Sequence, residues 1–234
     1  MHLAFRLGTA PLRVFSSAGD AQGVTLGHAV VGGARGHFHI RETGGQGASA
    51  GALLAPGSAF LLLGAPADAL AARHTPLADL WGHAAGDALA QLDEADGCAA
   101  RLDALERILL QRLDRATATG MNPVVACVLS RLRAGASVEA AVSATGFSHR
   151  HVLTLFRHAT GLAPKQYSRV LRLQGLLRQA ALPDSPCWAQ LALQAGFSDQ
   201  SHLHREFLAF AGMTPASWRR AGGRHPNHVP VAAA

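Results

Sequence analysis

Residues 194–207 read QAGFSDQSHLHREF and residues 144–156 read ATGFSHRHVLTLF, so one Gly-Phe-Ser triplet occurs twice, fifty residues apart. Each copy ends on a glycine and a proline, at Gly161 and Pro164 in the first and at Gly212 and Pro215 in the second. The offset there is 51 residues, which predicts one extra residue in the segment after the second triplet. A repeat at a nearly constant offset indicates one structural unit that the chain uses twice.

The first copy has the pattern of two short helices joined by a tight turn. Ser137 is a predicted helix cap, and the helix after it carries apolar residues at helical spacing at Val138, Ala141 and Val142. Gly146 suits the positive φ of a sharp corner, Phe147 is predicted to fill that corner, and Ser148 is predicted to cap the next helix. The buried stripe of that second helix is predicted at Val152, Leu155 and Phe156. This is a helix-turn-helix pattern.

The second copy repeats the pattern with different residues. Ser185 is the predicted cap of its first helix and Pro186 the first helical residue. Gly196 is predicted to form the corner, and Ser198 is predicted to cap a helix that buries Leu203, Phe207 and Phe210. A histidine and a glutamate of this helix, His202 and Glu206, have i, i+4 spacing and predict a surface pair.

A connecting helix is predicted between the copies, from residue 165 to residue 180. Its Lys165, Arg169 and Arg178 are predicted to face solvent or phosphate. Gly175 in its middle costs about 1 kcal/mol relative to alanine, so we expect close packing there. A stiff spacer suits two helices that must read one face of a duplex about 34 Å apart.

Charge divides the chain into two halves. Residues 1–120 hold nine basic and eleven acidic residues, a net charge of −2, whereas residues 121–234 hold twelve and four, a net charge of +8. The basic half predicts a polyanionic partner. The boundary is predicted near residues 117–123, where TATGMNP carries turn residues. The chain starts without a secretory signal pattern and has no apolar run long enough for a membrane span, which predicts a cytoplasmic protein without a membrane partner.

Residues 123–220 resemble the DNA-binding domain of the AraC/XylS family of bacterial transcription regulators. The resemblance rests on GFS with FRHATGLAPKQY in the first copy, RLQGLL in the connecting helix, and AGFSDQSHLHREFLAFAGMTPASW in the second copy. It implies double-stranded DNA as partner and two recognition helices in successive major grooves. Further partners that it allows are a small-molecule effector, RNA polymerase in the case of an activator, and a second copy of the chain. It implies no cofactor.

The resemblance also implies site residues. The base-reading positions fall on Arg150, Leu153, Thr154, Gln200, Ser201, His204 and Arg205. Residues interpreted as phosphate contacts are His149, Arg157, Lys165, Arg169, Arg178 and Ser198. Turn positions are Gly146, Gly161, Gly196 and Gly212. Thr154 stands where the family often has arginine, so the first copy is expected to read thymine methyl groups and DNA shape.

The amino-terminal half resembles the effector-type domain of one group of these regulators, most clearly at GALLAPGSAFLLLGAPADALAARHTPLADLWG, residues 51–82. Its pattern predicts strands at 24–31, 37–41 and 51–54, and helices at 67–73, 86–92 and 101–115. The last helix is expected to turn one leucine stripe inward, formed by Leu102, Leu105, Leu109 and Leu113. Such a stripe is either core or a dimer interface. The predicted architecture is an α+β domain at 1–118, an all-α domain with two helix-turn-helix units at 121–221, and a disordered tail at 222–234.

Two rival functions follow from other features. His37 and His39 are two apart on a predicted strand with Glu42 close behind, a pattern typical of a cupin metal site in an enzyme or metal sensor. An edge-strand histidine pair without metal is the alternative. A pure interaction module is the third hypothesis, which the basic half opposes. Ser148 and Ser198 are interpreted as caps, since neither lies in a G-x-S-x-G elbow, and no enzyme activity is predicted. The cysteines Cys98, Cys127 and Cys187 form no CxxC pair and are expected to be buried and unpaired.

Overall fold

The computed structural model describes residues 1–8, 10–17, 19–42, 47–116, 120–182, 184–222 and 229. The chain forms two compact units, the first from Met1–Arg35 with Ile40–Pro164 and the second from Gly36–His39 with Lys165–Ala234. The first helix-turn-helix therefore belongs to the same compact unit as the amino-terminal strands. The domain limits at 118 and 121 stay a prediction. The predicted tail at 222–234 lies outside the described residues, except for Gly222 and Val229.

Two antiparallel sheets form the amino-terminal part of the first unit. One sheet has the strand order β6-β1-β4-β7, and the other has the order β3-β2-β5. The strands are β1 His2–Leu7, β2 Leu12–Phe15, β3 Val24–Gly27, β4 Ala29–Gly32, β5 Ile40–Arg41, β6 Ala48–Leu53 and β7 His74–Pro76. In β1 every second residue is buried, at Leu3, Phe5 and Leu7, because alternate side chains of a strand point to one face.

The strand predictions were right in location and wrong in extent. The stretch predicted as one strand at 24–31 breaks at His28, so that β3 and β4 lie in different sheets. The predicted strand at 37–41 contains only Ile40 and Arg41, and the strand predicted at 51–54 is Ala48–Leu53. Pairing partners far along the chain set these limits, and a local pattern does not contain them.

Helices cover the core face of the four-stranded sheet. They are α1 Ala59–Leu63, a 3-10 helix Ala67–Leu70 where 67–73 was predicted helical, α2 Ala78–Trp81, α3 Ala84–Glu94 and α4 Gly97–Asp114. The predicted leucine stripe of α4 was wrong in part. Its buried residues are Ala104, Leu105 and Ile108, whereas Leu102 and Leu113 are 55% and 41% exposed. The inward face of α4 is therefore formed by Ala104 and Ile108 together with Leu105, and not by the four predicted leucines.

Three further helices complete the first unit. They are α5 Pro123–Arg133, α6 Val138–Ser143 and α7 His149–Thr160. The carboxyl end of α7 lies against the 3-10 helix, where His158 Nδ1 is 3.5 Å from Asp68 Oδ1. A Cβ added to Gly161 would lie 2.8 Å from the Ala67 carbonyl oxygen, so glycine permits this close approach.

The second unit is helical and has its own core. Its helices are α8 Pro164–Ala180, α9 Trp188–Gln194, α10 Gln200–Ala211 and α11 Pro215–Ala221. The buried residues that form the core are Leu173, Leu176, Leu177, Ala180, Leu191, Ala192, Phe197, Leu203, Phe207 and Trp218. Trp188 packs edge-on against Phe207 and Trp218, with ring centroids 5.8 and 6.2 Å apart. The predicted fold class, an α+β region followed by an all-α region, is confirmed.

Three smaller expectations have clear outcomes. The prediction of close packing at Gly175 was wrong, because an added Cβ would meet only Arg178 Nη2, at 3.9 Å. The cysteines are unpaired as predicted, but Cys98 and Cys187 are exposed rather than buried. Within the described ranges, no helix combines the length and the apolar character that a membrane crossing requires.

Candidate nucleic-acid interface

The turn of the first copy has the predicted backbone conformation, but the side chain of Phe147 does not lie where it was predicted. Gly146 has a φ of +72°, and Ser137 and Ser148 accept hydrogen bonds from the backbone N–H groups of Ala140 and His151, as caps do. Phe147 does not fill the corner, so that prediction was wrong. Its side chain is 53% exposed and its ring lies 5.4 Å from that of His151.

The turn of the second copy is built differently. Gly196 has a φ of +74°, but Phe197 is only 4% exposed and belongs to the core. The first helix of this copy, α9, begins after Cys187. The predicted cap at Ser185 and the predicted first helical residue at Pro186 were therefore wrong. The cap of α10 is Asp199, whose Oδ1 accepts a hydrogen bond of 2.6 Å from the His202 backbone N–H.

Ser198 therefore supports the cap instead of serving as one, which corrects the prediction. Its hydroxyl donates to Asp199 Oδ2 at 3.0 Å. The pKa of Asp199 is lowered, first by the hydrogen bond from the His202 backbone N–H and then by the Ser198 hydroxyl, with a further contribution from the charge of Arg205. A carboxylate at the amino end of a helix is favoured by the helix dipole. The aspartate was the signal that sequence reasoning missed, since Asp ranks with Ser as a cap.

The second helices of the two helix-turn-helix units, α7 and α10, have the same length. Each contains twelve residues and ends in a glycine with positive φ, Gly161 at +78° and Gly212 at +68°. The extra residue of the second copy thus lies in the turn, between Gly196 and the start of α10 at Gln200. Counted from the caps, Thr154 corresponds to Arg205 and Arg150 to Ser201.

The outer face of α7 presents both charge and apolar surface. His149, Arg150, Thr154 and Arg157 are exposed, and Leu153 is half-buried. The Thr154 hydroxyl donates to the Arg150 carbonyl oxygen at 3.0 Å. This bond uses the hydroxyl proton of Thr154 inside the helix.

The outer face of α10 is polar. Gln200, Ser201 and Arg205 are exposed, and His204 is half-buried. Among the described residues, the ion pairs involve none of the exposed arginines of α7 and α10, namely Arg150, Arg157 and Arg205. These guanidinium groups are therefore available to an external partner.

Arg169 was predicted to be available for phosphate, and the structure corrects this. Its Nε and Nη2 donate to the two carboxylate oxygens of Glu206 at 2.8 and 2.7 Å, and its guanidinium lies over the Phe210 ring. Arg172, which sequence reasoning missed, lies 3.8 Å from the same carboxylate and stacks on Phe197 at 4.4 Å. His202, the predicted surface partner, adds a charge interaction with Glu206 to this cluster. Of the other predicted phosphate contacts on α8, Lys165 and Arg178 are exposed.

The carboxylate of Glu206 is held in its charged form by this cluster. Its pKa is lowered, first by the hydrogen bonds from Arg169 and then by the charges of Arg169, Arg172 and His202, against an opposing effect of burial. The pKa of Arg169 is raised by the same hydrogen bonds. Both shifts have the direction that a mutual ion pair requires. The cluster connects α8 to α10 and fixes how α10 is held.

The histidine pair of the metal hypothesis does not lie on a strand. His37 and His39 precede β5, and Glu42, which follows it, pairs with Arg13 at 3.6 Å. No three histidine, cysteine, aspartate or glutamate side chains come together as a metal site among the residues that the structure describes.

Two comparisons with known proteins bear on this interface. A family model described as a helix-turn-helix domain matches residues 141–221, from α6 to the end of α11. The HTH-type transcriptional regulator MtrA of Neisseria gonorrhoeae is 28% identical over 89 residues, which are 38% of this chain. The chain spans 29% of the length of that relative. Together with the two capped helix-turn-helix units, these matches support the resemblance of residues 123–220 to the DNA-binding domain of AraC/XylS transcription regulators.

Proposed function

We propose that α7 and α10 enter two successive major grooves of one DNA duplex. The observation that carries this proposal is the repetition itself. Two helices of equal length, each capped at its start and ended by a glycine with positive φ, turn a polar or basic face outward. Successive major grooves on one face of B-DNA lie about 34 Å apart. A reading unit that occurs twice in one chain suits a target that repeats along the duplex.

The proposed base readers on α10 are Gln200, Ser201, His204 and Arg205. Arginine donates two hydrogen bonds to guanine O6 and N7, which makes Arg205 the strongest single reader of this set. Gln200 can pair with adenine N6 and N7 in the same manner. The Asp199 carboxylate at the end of this face disfavours close approach of a phosphate. For this reason we propose base contacts rather than phosphate contacts on this face, and we do not propose Ser198 as a phosphate contact.

The proposed readers on α7 are Arg150, Leu153 and Thr154. Leu153 and the methyl group of Thr154 offer apolar surface, which suits the C5-methyl group of thymine. Since Thr154 occupies the position of Arg205, the second copy supplies more hydrogen-bond discrimination than the first. We propose phosphate contacts at His149, Arg157, Lys165 and Arg178, whose side chains are exposed, and we leave out Arg169.

A selection from randomised DNA sites tests the assignment of readers. We expect Arg205→Ala to lose about 1–3 kcal/mol on the preferred site and to relax the preference at one base pair. The matched control is Arg178→Ala on α8, which removes the same charge where only the DNA backbone is in reach. It should weaken all sequences nearly equally. An unchanged motif for Arg205→Ala would exclude Arg205 as a base reader.

Salt dependence tests the phosphate contacts independently. For each phosphate contact, log K falls by about 0.9 per log unit of salt. The three cationic contacts, Arg157, Lys165 and Arg178, therefore predict a slope near −3, and Arg157→Ala should reduce its magnitude by about one. A flat response to salt would contradict DNA binding through these residues.

A second copy of the chain, a small-molecule effector and RNA polymerase are proposed as further partners. The homodimer is supported by Leu102 and Leu113, which are exposed, three helical turns apart and thus on one face of α4. We expect Leu102→Glu to shift the protein to a smaller mass in light scattering at equal concentration. Leu193→Glu, at an exposed leucine of α9, is the control. An unchanged mass would remove α4 as the dimer interface.

A further inference from the structure

The outward face of α10 changes from polar to apolar along the helix. Ser201 and Arg205 are exposed in its first two turns, whereas residues 208–211 read LAFA and carry no charge. Leu208 is 54% exposed, and its neighbour Ala209 is exposed as well. The last turn of α10 therefore presents aliphatic surface to solvent where its first turns present polar groups.

Leu208 lies on the same face of α10 as Ser201 and Arg205. Each residue of an α-helix turns by about 100°, so Arg205 lies about 40° from Ser201 and Leu208 about 20° from it on the other side. The buried Leu203 and Phe207 lie about 160° and 120° away from Ser201, on the side of the core. Leu208 thus continues the row of side chains that we propose to face DNA.

The corresponding position of α7 carries a cation. Counted from the caps Ser148 and Asp199, Leu208 corresponds to Arg157. The last turn of α7 is basic, whereas the last turn of α10 contains no basic residue. A guanidinium group suits the oxygens of a phosphate, but the side chain of leucine has no hydrogen-bond donor. The two copies therefore cannot make the same contact at this position.

One feature of the major groove suits an aliphatic side chain. Thymine presents its C5-methyl group there, and this group is a recognised apolar contact for protein side chains. A phosphate next to leucine would instead lose hydrating water and gain no hydrogen bond. On a face that enters the groove, the chemistry of Leu208 therefore favours a thymine over the DNA backbone.

The spacing along α10 limits where this thymine lies. Leu208 follows Arg205 by three residues, which is an advance of about 4.5 Å along the helix axis. Successive bases of one DNA strand are about 3.4 Å apart. The two side chains are therefore spaced for bases that are one or two positions apart.

We propose that Leu208 is a further specificity-determining residue of α10, which contacts the methyl group of a thymine one or two base pairs from the pair that Arg205 reads. The assignment rests on the proposed entry of α10 into a major groove and adds one base to the sequence that this helix selects. The two copies then differ in their last turns, since α7 supplies a cation for phosphate and α10 supplies an apolar contact for a base.

Selection from randomised DNA sites compares the full-length unchanged protein with two variants. We expect Leu208→Ala to lose the preference for one thymine and to keep the preference for the guanine, which Arg205→Ala should lose instead. The matched control is Leu193→Ala, which removes the same group from α9, where the leucine is 68% exposed. It should select the same motif as the unchanged protein. A thymine preference that persists in Leu208→Ala would overturn the assignment.

Deoxyuridine in place of that thymine removes the methyl group and leaves the base pair intact. We expect the unchanged protein to bind the substituted site about fourfold more weakly, which corresponds to the burial of one methyl-sized group. Leu208→Ala should bind both sites equally, whereas Leu208→Met, which keeps an aliphatic side chain, should retain most of the difference. Equal binding of both sites by the unchanged protein would overturn the assignment whether or not Leu208→Ala folds.

The same measurements separate this assignment from the proposed DNA reading. If the unchanged protein selects a motif whose guanine depends on Arg205, but no thymine methyl group contributes, only the role of Leu208 fails. If the unchanged protein selects no motif, the proposed function fails with it. An equal loss of affinity of Leu208→Ala for all sequences would also overturn the assignment, because it would show a role that does not depend on the base.

Discussion

Replacing Glu206 by glutamine tests how α10 is held against α8. The carboxylate accepts two hydrogen bonds from Arg169, at 2.8 and 2.7 Å, and lies 3.8 Å from Arg172. A hydrogen bond to a charged group contributes about 1.5–3 kcal/mol, but Arg169 is 38% exposed and solvent screening reduces that value. Glutamine keeps one acceptor oxygen and turns a donor toward the guanidinium group. We therefore expect a loss of about 1–2 kcal/mol in the free energy of unfolding.

Urea unfolding followed by tryptophan fluorescence measures this loss, because Trp188 and Trp218 lie in the core that includes Phe207. The control is Glu106→Gln on the exposed face of α4, for which we expect a change within about 0.5 kcal/mol. Combining Glu206→Gln with Arg169→Met in a double-mutant cycle isolates the pair itself. Equal midpoints for Glu206→Gln and the unchanged protein would show that this pair does not hold α10 in solution.

The same pair predicts a direction with pH. The folded-state pKa of Glu206 is lowered, so its contribution is fully present above the unfolded pKa of a glutamate, about 4.3. The contribution is lost as the pH falls through the folded-state pKa, where the carboxylate takes up a proton. The difference in stability between the unchanged protein and Glu206→Gln should therefore shrink below about pH 4. A difference that stays constant into that range would contradict an ionic origin.

Five other substitutions give separable results. Gly175→Ala should raise the free energy of unfolding by about 1 kcal/mol, since an added Cβ meets only Arg178 Nη2 at 3.9 Å; a lower urea midpoint would reveal a contact at this position. Gly146→Val and Gly196→Val should each lower stability by about 1–3 kcal/mol, because φ is positive at both turns; melting curves like that of the unchanged protein would refute this geometry. Phe197→Ala should cost about 3–5 kcal/mol in urea unfolding, as for a core phenylalanine. Phe147→Ala, at an exposed side chain, should cost less than about 1 kcal/mol. Equal losses of stability for Phe147→Ala and Phe197→Ala would contradict the different exposures of the two side chains.

Local patterns were sufficient to predict the helix-turn-helix units. Periodic apolar residues, serine caps and glycine corners act within a few residues of one another, so Ser137, Ser148 and Gly146 could be assigned from the sequence alone. The two phenylalanines show where such reasoning stops. Phe147 and Phe197 occupy the same place in the repeat, but Phe197 is covered by the guanidinium of Arg172, 25 residues earlier in the chain.

Contacts between distant residues account for the other differences. Arg169 and Glu206 are 37 residues apart, and nothing near either of them marks the partner. The same holds for the sheets, where His2 meets His74 only through the pairing of three strands. The interpretation of His37 and His39 as a strand pair failed for this reason, because strand limits depend on the pairing partner. The candidate base readers could be named from the pattern, whereas the network that holds them could not.

The position of the extra residue in the second turn matters for engineering. A chimera that exchanges α7 and α10 must be cut at the caps, with Ser148 exchanged for Asp199, and not at the shared triplet. A cut at the triplet would shift the grafted helix by one residue, which rotates every side chain by about 100° around the helix axis. The graft would then turn its polar face partly inward and its apolar stripe partly outward. Joined at the caps, the residues 149–160 and 200–211 are segments of equal length, twelve residues each.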